Sequence, residues 1–225
     1  MKKAKIYFHP EYFLKNFNGI MDIKKTKRIV AESINEAWEK LVKVFDFDIS
    51  FIKQIDIVTR GSRPQIMPLV TRNGVVIRLD LSMTINCEEK ENVRSIIYHE
   101  IYHLADRIDP KFKMDYHLDA ESKQKKLGKI INVLWDLYIE KRKFHIFKIR
   151  PIYCKDKKNR DTVEIKEASK KEFLSIIGGL KGNTNISDCI FNEIWSKSGH
   201  MTYSEIYSES MRICPKEEHY KSDCC

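Results

Sequence analysis

The stretch Val93-Arg94-Ser95-Ile96-Ile97-Tyr98-His99-Glu100-Ile101-Tyr102-His103-Leu104 carries most of the information in this chain. Its apolar positions recur every three or four residues. With Ile108, the residues Val93, Ile97, Ile101 and Leu104 form one stripe of a helix predicted over about Lys90 to Ile108. Ile96, Tyr98 and Tyr102 make the other sides apolar too, so the helix is expected to run through the interior. His99 and His103 stand four apart with Glu100 between them, the His-Glu-x-x-His pattern. Imidazoles at i and i+4 project side by side and can bind one zinc ion, and the intervening carboxylate is placed to take a proton from water.

Before this helix the period changes from helical to alternating. Lys5 to Phe8 reads as a short strand. Asp22 or Thr26 is placed to cap a helix reaching about Val44, whose expected buried face is Val30, Ile34, Ala37/Trp38, Leu41 and Phe45. Ile55-Asp56-Ile57-Val58 is strand-like. Pro68-Leu69-Val70-Thr71 faces Val75-Val76-Ile77-Arg78-Leu79 across Arg72-Asn73-Gly74, and Asn-Gly between β-branched runs is a hairpin signal.

After it, a second long helix is predicted from about Ala120 to Phe147, and Pro151 lies beyond its end. Its apolar stripe is Leu127, Ile130, Leu134, Leu137 and Tyr138, while Asn132, Asp136 and Glu140 form a polar file at i, i+4 and i+8. Carboxylates in so apolar a helix require solvent or a partner, because an unpaired buried carboxylate costs several kcal/mol. A zinc ion on the histidine helix would be such a partner; a solvated face pairing with Lys129 and Lys143 is the other account. His117 and Glu121, in the polar connection, remain open as a third ligand. Asp109 does not fit, because Asp106 stands where that longer pattern needs a chain-reversing glycine. Shorter helices are expected at Glu164–Ile177, Ser187–Ser196 and Thr202–Arg212.

These elements amount to an α+β fold: a small mixed sheet with a backing helix, an active-site helix and an acidic-ligand helix in a domain spanning residues 1–154. A helical extension over 155–225 follows the polar stretch Lys155–Arg160. The 42% hydrophobic content, with 11 Phe and 10 Tyr against 8 Gly and 6 Pro, argues for a packed core. No uncharged apolar run approaches the roughly 20 residues of a membrane helix, and Met1-Lys2-Lys3 leads into His9-Pro10-Glu11, unlike a secretory signal. Six scattered cysteines without a Cys-x-x-Cys pair suit free thiols, and the expected location is the cytoplasm.

The His99–His103 helix followed by an acidic helix resembles the zincin metallopeptidases, in particular the gluzincin layout. Asn132-Val133-Leu134-Trp135-Asp136-Leu137-Tyr138-Ile139-Glu140 is similar to the Asn-x-x-x-Asp-x-x-Ile-Glu segment of metallopeptidase-like regions that accompany von Willebrand A domains. The resemblance implies a Zn2+ cofactor, a peptide or protein substrate, and Glu100 as general base. Many gluzincins have Glu followed four residues later by Asp; here the order is Asp136 then Glu140. Either Asp136 binds zinc with Glu140 behind it, or Glu140 binds and Asp136 orients a histidine. The related regions accept Asn at the last position, which favours Asp136. An oxyanion donor is expected among Tyr98, Tyr102, Tyr116, Tyr138, His117 and His145. The strand Val75–Leu79, the last before the active helix, is expected to align the substrate.

Two readings of other classes stand beside this one. Lys141–Arg160 holds nine Lys or Arg and one acid, with Phe144, Phe147 and Tyr153 interleaved. Together with a net charge of +9, it could bind RNA or single-stranded DNA weakly, the zinc site being structural or vestigial. A solvated basic helix end is the plainer account of the same residues. The other reading is a non-catalytic zincin-like scaffold, against which the retained Glu100 counts. A tail thiol, Cys214, Cys224 or Cys225, could in principle cap the metal and hold the site latent.

Overall fold

The computed structural model describes residues 4–9, 23–45, 52–60, 64–71, 74–81, 90–115, 126–147, 166–167, 169–171, 173–175, 177, 184–198 and 201–213. The fold is α+β, and the chain divides into two compact units, Met1–Asp109 and Pro110–Cys225. The boundary expected at Lys155–Arg160 lies outside the described residues.

Among its described residues the first unit holds four strands, β1 (Lys5–Phe8), β2 (Ile52–Val58), β3 (Gln65–Thr71) and β4 (Gly74–Asp80), and two helices, α1 (Ile23–Phe45) and α2 (Lys90–Ile108). The sheet order is β1-β2-β4-β3; β1, β2 and β4 run parallel and β3 is antiparallel to β4. Register sorts the side chains into two faces. Ile6, Ile55, Ile77 and Pro68 form one cross-strand row and Phe8, Ile57, Leu79 and Ile66 the next, giving an apolar face. Lys5, Gln54, Val76 and Leu69, then Tyr7, Asp56, Arg78 and Met67, form the rows of the opposite, mixed face. Period-2 alternation in each strand produces this division.

The hairpin pairs Thr71 with Gly74, and Gly74 adopts φ 120°, a region open to glycine because it lacks a Cβ. Residues 72 and 73 lie outside the described residues. Because β3 folds back along the outer side of β4, β4 is an internal strand with β2 on its other flank. This corrects the expectation that Val75–Leu79 offers an edge to substrate. Among the described residues the edge strands are β1 and β3, and Pro68 is the sequence signal for β3, since proline cannot donate to a ladder and is confined to edges.

Helix α1 begins at Ile23, directly after Asp22, which lies outside the described residues; Thr26 is buried within the helix and does not cap it. Val30, Ile34 and Ala37 are buried as their spacing predicts. Helix α2 has the bounds read from sequence, with Glu91 in its first turn and Arg107 in its last, each complementing the helix dipole. It packs against α1 and β3, and Arg107 Nη1 donates to the Ile66 carbonyl at 3.4 Å. Twelve of its residues are buried, His99 and Glu100 among them, as expected of a helix apolar on most sides.

The second unit contains α3 (Lys126–Phe147), α4 (Thr184–Lys197), α5 (Tyr203–Ile213) and helical residues between 166 and 177. Helix α3 is buried beyond its predicted stripe, since Ile131, Val133, Trp135 and Ile139 are buried as well. Phe112 stacks on Trp135 and Tyr138 with centroids 5.3 and 5.8 Å apart, and Tyr203 meets Trp135 edge-on at 5.8 Å. The first amide of α5, that of Tyr203, donates to the Phe112 carbonyl at 2.8 Å. Phe173, Phe191 and Trp195 form a further aromatic cluster in this unit. Among the described residues no helix is long and apolar enough to cross a membrane.

Candidate metal centre

Helix α2 brings His99 and His103 together within the first unit. Their Nε2 atoms lie 3.2 Å apart, with ring centroids separated by 4.8 Å and planes at 75°. Two nitrogens each about 2.0–2.1 Å from a tetrahedral ion are about 3.3 Å apart, so the observed separation is the bite such an ion needs. The same separation also accommodates an imidazole–imidazole hydrogen bond, with one ring as donor. His99 is buried and His103 half-buried, so the pair does not lie on a fully solvated face. Glu100 is 6% exposed on the same turn. The donor set, two convergent imidazoles with a carboxylate alongside, fits zinc chemistry.

Tyr98, next to His99, faces α1. Lys40 Nζ and Arg94 Cζ lie 5.6 and 5.7 Å from its ring centroid. Burial, followed by the nearby Glu36 charge, pushes its phenol well above the ordinary tyrosine range. It serves the contact between α1 and α2, which sets it apart from the other candidate oxyanion donors. Tyr102 is fully buried, His145 is exposed, and Tyr116, His117 and Glu121 lie outside the described residues.

In the second unit, the polar file of α3 passes from solvent to core. Asn132 is exposed, Asp136 half-buried and Glu140 buried. Glu140 Oε1 accepts from Lys143 Nζ at 2.7 Å, with side-chain exposures of 1% and 0%. Glu140 thus has a buried cation one turn on, at i+3.

The basic run is engaged as well. Lys141 Nζ donates to the Trp195 and Ser196 carbonyls at the end of α4 and lies over the Trp195 ring, and burial lowers its pKa. Arg142 donates to the Tyr138 hydroxyl at 2.7 Å and its guanidinium lies 4.4 Å from that ring centroid. The account of a solvated basic helix end therefore fails for Lys141–Lys143; their long side chains are buried or half-buried and carry structural bonds. Residues 148–160, including the other six basic side chains, lie outside the described residues, as do Cys214, Cys224 and Cys225.

Comparison with protein-family models, curated proteins and solved structures gives no match.

Proposed function

We propose that this chain is a cytoplasmic zinc-dependent metallopeptidase acting on a peptide or protein substrate. The observation that carries the reading is the convergence of the His99 and His103 Nε2 atoms, 3.2 Å apart on one helix, with Glu100 buried between them in sequence. A bound zinc ion would supply the Lewis acidity that makes water nucleophilic at neutral pH and polarises a peptide carbonyl.

His99 and His103 act as neutral nitrogen ligands. Glu100 takes the proton from the attacking water at its carboxylate and passes it to the departing amine, serving as base and then as acid. Edge strand β3 suits an extended substrate, which can pair along the side of β3 facing away from β4.

The third ligand in this reading is Asp136. Its support comes from α3 itself, where the buried Lys143 ammonium already neutralises Glu140, while Asp136 is half-buried one turn earlier on the same file. Glu140 is then a supporting group, and its direct ligation is the variant of the proposal that Lys143 disfavours. The nucleic-acid reading loses three of its nine basic groups, Lys141, Arg142 and Lys143, to internal bonds.

Elemental analysis and peptidase assays on the purified full chain test the proposal. One zinc per chain is expected, lost in His99→Ala and His103→Ala. Glu100→Gln should retain zinc and lose hydrolysis by at least two orders of magnitude, in keeping with general-base catalysis. Asp136→Asn should lose metal more severely than Glu140→Gln. Wild-type protein without stoichiometric metal would sink the reading; metal without hydrolysis of any peptide library would leave a scaffold.

A further inference from the structure

Two helical pairs face each other across the first unit. Glu36 and Lys40 stand one turn apart on α1, and Arg94 and Tyr98 one turn apart on α2. The Glu36 carboxylate accepts from Lys40 Nζ at 2.8 Å and from Arg94 Nη2. Both cations in turn lie over the Tyr98 ring, at 5.6 and 5.7 Å. One carboxylate therefore holds two cations, and the two cations hold one fully buried aromatic ring. Burial acts to raise the Glu36 pKa, but the hydrogen bonds from Lys40 and Arg94 outweigh it and leave the group below its ordinary value.

We propose that Glu36 is a positioning residue for the His99–His103 pair, acting through Arg94, Lys40 and Tyr98 to fix the rotation and axial register of α2. Tyr98 and His99 are consecutive on a rigid helix, so a turn of α2 about its axis moves ring and imidazole together. Any such turn carries Tyr98 away from Lys40 on α1 and separates Arg94 from Glu36. Charge and shape are both engaged, which distinguishes this contact from a second α1–α2 ion pair. Lys90–Glu32, at 3.3 Å, has both side chains half exposed and is expected to contribute little. The inference rests on reading His99 and His103 as metal ligands, but the placement of the rings can be measured without metal.

The experiment uses the full chain with Glu36→Gln, Glu32→Gln, Lys40→Met, Lys40→Arg and the core variant Ile29→Val, the last serving as a stability-loss control. Cobalt(II) is titrated and followed by its visible absorption, and the ring-to-ring NOE between the two imidazoles is recorded on the metal-free protein. Glu36→Gln is expected to weaken cobalt binding by about tenfold or more, the range found when groups that orient metal ligands are removed, and to weaken the NOE. Lys40→Met should do the same and Lys40→Arg should restore both; Glu32→Gln and Ile29→Val should leave both unchanged. If Glu36→Gln and Lys40→Met lose thermal stability like Ile29→Val but keep wild-type cobalt affinity and NOE, the positioning role is overturned. If wild type binds no cobalt, the metallopeptidase reading fails, and the NOE alone decides: retained in Glu36→Gln it refutes the positioning role, weakened it supports it. Should Glu36→Gln not fold, Lys40→Met carries the same comparison.

Discussion

Glu140 and Lys143 illustrate how a residue's chemistry depends on what burial leaves around it. A carboxylate and an ammonium three apart on an exposed helix are worth a few tenths of a kcal/mol. Here both are nearly inaccessible, so neither charge can fall back on water if its partner is removed. Lys143→Met is expected to destabilise the protein by about 3–5 kcal/mol in urea unfolding, and replacing both partners by apolar residues should cost much less. A loss below 1 kcal/mol for Lys143→Met would show that Glu140 is served by another cation or by water. From sequence, Lys143 was visible as a partner for the acidic file, but its burial was not, because the i+3 spacing is the same on a solvated helix and on a packed one.

At the scale of elements, helix ends were the most legible features where a local signal existed. Helix α2 occupies the predicted residues because its apolar period runs unbroken to Ile108 and Pro110 follows shortly after. Helix α5 starts one residue later than expected. Thr202 is its N-cap, and Glu205 reaches back to the Thr202 amide at 2.6 Å and hydroxyl at 2.9 Å, while the Glu205 amide donates to the Thr202 hydroxyl at 3.4 Å. This is a Thr-x-x-Glu capping box. The backbone amide of Thr202, followed by its hydroxyl, draws the Glu205 carboxyl below its ordinary pKa. Thr202→Ala is expected to cost about 1 kcal/mol, with faster hydrogen exchange confined to the first turn of α5. Uniform acceleration along α5 would indicate lost packing instead. Strand order was less legible. Local turn chemistry specified the β3–β4 hairpin, but which of the two strands meets β2 is a non-local choice, and Pro68 was the one local hint.

For the whole molecule, two measurements connect site and stability. A ligand that binds the folded chain alone stabilises it by mass action, so zinc at a hundredfold excess over its dissociation constant should add about 2.7 kcal/mol. The accompanying rise in Tm should vanish in His99→Ala. The second measurement is acid unfolding. Glu36 has a folded-state pKa depressed below its ordinary 4.5. Its contribution is therefore complete above that ordinary value and is lost as pH falls toward and through the lower folded value. Glu36→Gln should reduce wild-type stability at neutral pH and flatten the decline of stability below about pH 4.5. An unchanged acid limb would mean that the Glu36 contact with Arg94 and Lys40 does not persist in solution.

What the chain determined by itself is local. Four-residue spacing on a helix places His99 beside His103 whatever surrounds them, because 3.6 residues per turn is a property of the backbone. The same holds for the cap at Thr202 and the two-faced strands. Tertiary structure decided which strand meets β2, a choice at which Pro68 only hints, and it alone decided that Lys143 is buried against Glu140 and that Glu36 joins two cations over Tyr98. Each of these depends on which distant surfaces pack together and exclude water. Desolvation and cross-element contact, unlike helical phase, are set by neighbours that can be far away in sequence.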